Sequence, residues 1–184
     1  MRELVHEPVQ SFRLAPMSRS IRVLTLALLP LPLVLLAAAP FCGAGPTLTG
    51  AALFVGLIWA GVWTWFRPTR FELSSASLRI VWPIRRRDIE LSSVERVEIV
   101  SARDLRAEFG FLARVGAGGL WGGFGMLWSS KGRHIDFYIS RLGPMVLIHR
   151  RTGHPLLITP EQPERFVDAL CAAAGHPAAK PETD

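Results

Sequence analysis

The chain carries three consecutive arginines, Arg85, Arg86 and Arg87, and two more, Arg67 and Arg70, a short distance before them. Planar guanidinium forks match phosphate and carboxylate oxygens, so this run is the best candidate for chemistry, namely the binding of an anion. Alternation along a regular strand turns Arg86 away from Arg85 and Arg87, so one ligand does not take all three. The competing reading makes the run topogenic and solubilising. His134 and Asp136 stand two apart, hence on one side of a strand, as an exposed ion pair; no nucleophile or third ligand accompanies them. His149 and His154 straddle a turn marked by "RRTG", but a zinc site needs further ligands. Asp88, Asp104 and Glu108 form no carboxylate pair that spacing defends. Cys42 and Cys171 have no C-x-x-C partner.

The second chemistry-bearing stretch is "VGAGGLWGGFGMLWSS", Val115 to Ser130, with six glycines between Gly116 and Gly125. A dinucleotide loop needs G-x-G-x-x-G between a strand and a helix; Gly116 and Gly118 fit, Trp121 fills the third position, and no helical pattern follows. A third membrane span needs about 18 apolar residues, which this run lacks, and its glycines oppose a helix. The remaining reading is a bent strand with its approach loop, Phe124, Met126 and Trp128 alternating with Gly125, Leu127 and Ser129, both rows apolar enough to leave the buried face open. In its functional form, Leu120 and Trp121 dip into a bilayer interface.

What must position these residues is set by an uneven hydropathy. The 184 residues are 49% hydrophobic and carry a net charge of +6. Between Val23 and Phe66 there is no Asp, Glu, Lys, Arg or His. That block exceeds one bilayer crossing and divides at "FCGAGP", Phe41 to Pro46, giving spans over residues 23–41 and 47–66. Pro30 and Pro32 kink the first, which a membrane helix tolerates. Gly50, Gly56 and Gly61 let the two approach, and Trp59, Trp63 and Trp65 mark an interfacial belt. Arg13, Arg19 and Arg22 precede the pair, the arginines after Phe66 follow it, and the connecting loop has none. Both ends are therefore expected in the cytoplasm, with residues 1–22 as an N-terminal segment and the two cysteines on opposite sides. The rival is a cleaved signal peptide starting at Met17; its apolar stretch is long for one, and Pro40 follows the A-x-A-like site. Nucleic acid is excluded as a partner: no RNP-type strand, zinc knuckle or basic helix accompanies the charge.

Residues after Arg70 alternate as short strands. "RFELSSASLRIVW" is a hairpin with Phe71 and Leu73, then Leu78, Ile80 and Trp82, on one face. Ile89 and Leu91, then Val94, Val97 and Ile99, continue the pattern. "ARDLRAEFGFLAR" is a short helix with Leu105 and Phe109 four apart. "HIDFYIS" alternates Ile135, Phe137 and Ile139 against His134, Asp136 and Tyr138, and "MVLIHRRTGHPLLITP" is a second hairpin. "QPERFVDALCAAAG" is an amphipathic helix with Pro163 in its first turn and Phe166, Ala169, Leu170 and Ala173 as its apolar stripe. The tail from 175 to 184 is polar and expected to be flexible.

These motifs together, "FELSSASLRI", "RRRDIELSSVERVEIV", "GGLWGGFGMLWSS" leading into "HIDFYIS", and "VLIHRRTGHPLLITPEQPERFVDAL", resemble a bacterial pleckstrin-homology (PH-like) domain of the kind that follows a pair of membrane helices. Gln162 before Pro163 departs from the usual acidic cap. The resemblance implies an α+β chain: a two-helix transmembrane hairpin, then, over 70–174, a PH-like β-barrel of about seven strands closed by a C-terminal helix. It also implies no known catalytic machinery; from the residues themselves no cofactor and no metal are expected. The function expected is a non-catalytic module at the inner face of the cytoplasmic membrane, docking a protein or an anionic lipid headgroup. Its contacts would be Arg67, Arg70, Arg85, Arg86 and Arg87, with Leu120 and Trp121 at the interface. The alternatives are a membrane-associated enzyme or an accessory subunit of a larger transport complex.

Overall fold

A computed structural model describes residues 9–175. The chain opens with a four-residue strand, β1 (Gln10–Arg13), before any apolar helix. The first apolar helix is broken into α1 (Arg19–Leu28) and α2 (Leu31–Ala38). The break falls at Pro30, whose ring and missing N–H end one helix and start the next. A 3-10 turn (Ala39–Phe41) leads to α3 (Gly45–Gly61), which widens into a π-helical turn (Val62–Phe66). Arg19–Phe41 and Gly45–Phe66 are each long and apolar enough to cross a membrane. Their side chains stay largely uncovered, Leu33 at 68% and Leu57 at 72% exposure. Apolar surface on that scale calls for a partner phase.

After the hairpin come β2 (Arg70–Leu73), β3 (Ser77–Val81) and β4 (Arg86–Glu90). The short 3-10 turn Leu91–Ser93 then redirects the chain into β5 (Val94–Val100). Helix α4 (Ala102–Phe109) follows, and then β6 (Leu112–Gly118), β7 (Gly123–Ser129), β8 (His134–Ile139), β9 (Met145–Arg150), β10 (Leu156–Ile158) and α5 (Pro163–Ala174). The strands form two sheets, ordered β1-β2-β3-β4 and β5-β9-β10-β8-β7-β6. The first is wholly antiparallel; the second is mixed, since β10 runs parallel to β8.

This corrects the expected closed barrel of about seven strands. The Leu91–Ser93 turn ends one sheet and begins the other, so there are two packed layers instead of one continuous wall. Two of the extra strands are β1 and β6. The glycine-rich approach, expected as a loop, pairs with β7 residue by residue from Leu112↔Ser129 to Gly118↔Gly123. Gly116 and Gly125 sit opposite each other at φ +140° and +135°, and a Cβ on either would come within 3 Å of the other's Cα. That pair of bare backbones lets the two strands approach and bend.

The six-stranded sheet is covered on both faces, which is why "MVLI" of β9 is apolar throughout. One face, with Val97, Tyr138, Val146, Ile148 and Leu156, meets the four-stranded sheet and α5. There Phe166 is fully buried and takes edge-on contacts from Phe12 and Phe71. The other face, with Leu127, Ile135, Phe137, Met145 and Leu157, packs against Leu105 and Phe109 of α4. Helix α4 starts in a full capping box: the Ser101 hydroxyl accepts from the Arg103 and Asp104 amides, and the Asp104 carboxylate accepts from the Ser101 amide. Helix α5 starts without a side-chain cap, as its Gln162-Pro163 opening foreshadowed.

Candidate anion-binding site

Strand register assembles the basic cluster. Arg70 on β2 lies opposite Val81 on β3, and Val81 lies opposite Arg86 on β4. The three therefore share a row on the face turned away from Phe71 and Ile80. The β3–β4 connection closes as a turn in which the Trp82 amide donates to the Arg85 carbonyl at 2.9 Å. Thr69 joins from below, its amide and hydroxyl both donating to the Val81 carbonyl at 2.7 and 3.0 Å. Arg70, Arg85 and Arg86, with Thr69, Trp82 and Ile84, line an open pocket of about 620 Å³. Arg85 lies over the Trp82 ring at 4.2 Å, and Arg70 bonds Glu72 at 2.6 Å. Arg86 forms no ion pair among the described residues.

The pocket stands at the foot of the second apolar helix. The buried Trp82 indole N–H donates to the Phe66 carbonyl at 3.0 Å, tying the helix end to the sheet. Arg67, one residue on, lies over Trp63 at 4.4 Å, with a buried Nε that has no hydrogen-bond partner among the described residues. Burial lowers its pKa. It does not line the pocket with the other arginines.

Arg87 goes elsewhere. It lies opposite Ile80 and so faces inward, where it bonds Asp136 of the other sheet at 2.9 Å. Asp136 also meets His154 at 3.5 Å and the almost fully buried Arg150 at 3.7 Å. Burial, then the neighbouring charge of Arg87, lowers the Arg150 pKa, and burial raises that of Tyr138 beside them. The expected exposed His134–Asp136 pair therefore does not form. Asp136 is the inter-sheet ionic hub, and the His134 ring lies between those of Trp128 and His154, at 5.5 and 5.3 Å. His149 bonds Glu98 at 2.7 Å. Ligand atoms of Glu98, His149 and Glu108 lie within 4.8 Å of one another. Arg96 and Arg133 already pair with the two glutamates, so the group reads as a compensated ion network.

Of the two interfacial candidates, Trp121 is placed against the hairpin. Its ring meets Trp63 edge-on at 5.0 Å and its amide donates to the Thr25 hydroxyl at 3.1 Å. It is the one non-glycine residue with positive φ among the described residues, at 59°. Leu120 beside it is half-buried.

Sequence reasoning found the arginines but missed Trp82 and Thr69, which shape their pocket. The available signal was "WPIR": a proline one residue past an alternating strand, followed by arginine. It also missed the Asp136 hub, whose partners come from two separate strands and a loop.

Residues 69–174 match a family model described as a bacterial PH domain. No match was found among curated proteins or among solved structures.

Proposed function

The chain belongs to the bacterial PH domain family, and on that premise we propose that it is a membrane-anchored docking module whose basic pocket holds an anionic headgroup of the inner leaflet. Family membership supports a binding role, as do the two helices that pass the membrane-span test. The observation that carries the reading is the pocket's position: Arg70, Arg85 and Arg86 converge beside a tryptophan hydrogen-bonded to the last turn of the second apolar helix. Arginines next to an anionic leaflet gain about 1 kcal/mol each.

The orientation is supported by a feature independent of charge bias. β1 precedes the hairpin and β2 follows it, and the two are hydrogen-bonded neighbours from Gln10↔Leu73 to Arg13↔Arg70. A chain that pairs the residues flanking a two-helix excursion needs both flanks on one side. With the arginine distribution, that side is the cytoplasm.

The test uses the full chain. It should resist alkaline carbonate extraction, and reporters fused at either terminus should both report the cytoplasm. After detergent extraction from phosphatidylglycerol-containing membranes, native mass spectrometry should find phosphatidylglycerol retained. The pair Arg85→Gln and Arg86→Gln should lower that retention at least threefold, and Arg87→Gln should not. Equal retention by the Arg85/Arg86 variant and the wild type refutes the headgroup assignment. Retention of a protein in place of lipid, lost with the same substitutions, assigns the pocket to a protein partner.

A further inference from the structure

A second concavity lies on the outer face of the six-stranded sheet, away from the arginine pocket. It has a volume of about 1070 Å³, at the upper end of small-molecule pockets, for which roughly 300–1,000 Å³ is usual. Its floor is Leu127, Phe137 and Met145, one wall is Leu105 of α4, and the opposite wall is Ile21 and Leu24 of α1. Two large apolar side chains at its lips are bare: Phe111 is 77% and Leu142 is 70% exposed. Among the described residues, the charged ones that line it are Arg106 and Arg114, and neither forms an ion pair there. Among the described residues no carboxylate lines the groove with them.

An apolar trough with two unpaired guanidiniums and no acid selects a ligand with an apolar body and an anionic end. The source follows from the wall. Ile21 and Leu24 belong to the first two turns of the helix that runs into the first apolar span, with Arg19 and Arg22 beside them. On the reading above, that is the level of the headgroups, so the groove opens where lipid chains begin. The strands provide room: at Gly118 and Gly123, which line the trough, an added Cβ would meet the side chains of its wall, Arg114 at the first and Phe137, Ile139 and Arg114 at the second. We infer that this groove takes one acyl chain of an anionic phospholipid from the inner leaflet, its phosphate held by Arg106 and Arg114. The inference rests on the membrane reading but not on the Arg85–Arg86 pocket, which lies on the other sheet.

Gly118 gives a clean way to block it. Its φ is outside the left-handed region, and an added Cβ meets only the flexible end of Arg114, at 2.9 Å from Nη1. Gly118→Phe should therefore fill the trough without bending the strand, and an unchanged melting temperature checks this. The probe is phosphatidylglycerol carrying a chain-terminal diazirine, in nanodiscs of phosphatidylcholine that hold the full chain. Photolabelling of the wild type should mark both the hairpin and residues 105–112 and 137–145. Gly118→Phe should reduce labelling of the two domain segments at least fivefold and leave the hairpin unchanged. Arg106→Gln with Arg114→Gln should lower the preference for labelled phosphatidylglycerol over equally labelled phosphatidylcholine at least threefold. Unlabelled phosphatidylglycerol should compete, and palmitate should not.

Labelling confined to the hairpin overturns the groove assignment while leaving the membrane anchor standing. Failure to label the hairpin overturns the anchor itself. Domain labelling indifferent to Gly118→Phe, or displaced as well by palmitate as by phospholipid, also overturns the inference, the latter in favour of a free fatty acid. Should Gly118→Phe unfold the chain, Leu112→Trp, from the same groove wall, is read by the same criteria.

Discussion

Asp136 should be worth more to this protein than any arginine of the exposed pocket. Its carboxylate is 14% exposed and lies 2.9 Å from Arg87 and 3.7 Å from Arg150, whose side chain is only 7% exposed. Two limits bracket its loss. Breaking a buried ion pair by removing one partner costs about 3–5 kcal/mol, because the other charge is stranded. Exposed pairs are worth about 0.2–1 kcal/mol. Arg150 places this site near the first limit, while Arg87, at 41% exposure, can turn to water and draws it toward the second. Asp136→Asn, which keeps the shape and removes the charge, should therefore cost about 2–3 kcal/mol. For a domain of roughly 100 residues this is a fall of about 8–24 °C in melting temperature. Arg87→Gln should cost less, about 1 kcal/mol, because Asp136 keeps Arg150 and His154. The assay is thermal unfolding of the full chain in detergent by near-ultraviolet circular dichroism, which senses the Trp82–Tyr138 pair beside the hub. The double variant should be less destabilised than the sum of the singles by more than about 0.5 kcal/mol, the signature of a direct contact. Additive effects, or an Arg87→Gln variant that is fully stable but loses phosphatidylglycerol, would show that Arg87 serves the ligand and not the sheet junction.

Two further substitutions test local geometry. Trp121→Ala removes a half-buried ring from Trp63 and the core edge, at about 1.5–3 kcal/mol, scaled down from the 3–5 of a fully buried aromatic. Trp121→Gly loses the same contacts but relieves the positive φ and should melt higher than the alanine variant, by about 1 kcal/mol in stability; the reverse order refutes the claim that this backbone is strained. Asp104 accepts from the Ser101 amide at 2.7 Å, and the Ser101 bonds hold its pKa below the usual carboxylate value. A carboxyl depressed in the folded state stabilises above its unfolded pKa, and that contribution is lost as pH falls through the lowered value. Asp104→Asn should accordingly melt below the wild type at about pH 6 and match it once the pH has fallen through the lowered pKa and Asp104 is protonated. A deficit constant with pH would place the effect in packing and not in the cap.

Elements whose side chains carry a period were legible in the sequence. Phe71, Leu73, Leu78 and Ile80 alternate and all prove buried, and the Phe166–Leu170 stripe of α5 covers the core as read. β1 was not legible. "QSFR" has one apolar residue, Phe12, and its partner strand lies beyond the whole apolar hairpin, a pairing that no local pattern encodes. β6 was hidden for a different reason: its second half, Gly116 and Gly118 about Ala117, has no hydropathy to alternate, its first half reads on from the helical pattern of α4, and its strand conformation comes from pairing with β7. The arginine run was legible in position and in part in direction. Alternation separated Arg86 from its neighbours, but only the fold distinguishes Arg85, laid over Trp82 at the pocket, from Arg87, turned inward to Asp136.

β1 also changes how the hairpin is attached. After Arg13 the chain does not leave the domain: Leu14 bridges Pro160, the Ala15 amide donates to the Thr159 carbonyl, and the Ser140 hydroxyl donates to the Ala15 carbonyl at 2.6 Å. Only then does α1 begin, with the Ser18 amide donating to the Ser140 carbonyl. At the return, Trp82 holds Phe66, and Trp121 holds Trp63 of the returning helix and Thr25 of the departing one. The two helices are thus an excursion from inside the β-domain, gripped at departure and return, and not a tether ahead of it. A domain gripped at both ends has little freedom to tilt about its anchor. On the membrane-anchored reading proposed above, that grip would hold the arginine pocket and the apolar groove, on different sheets, beside the same pair of helices.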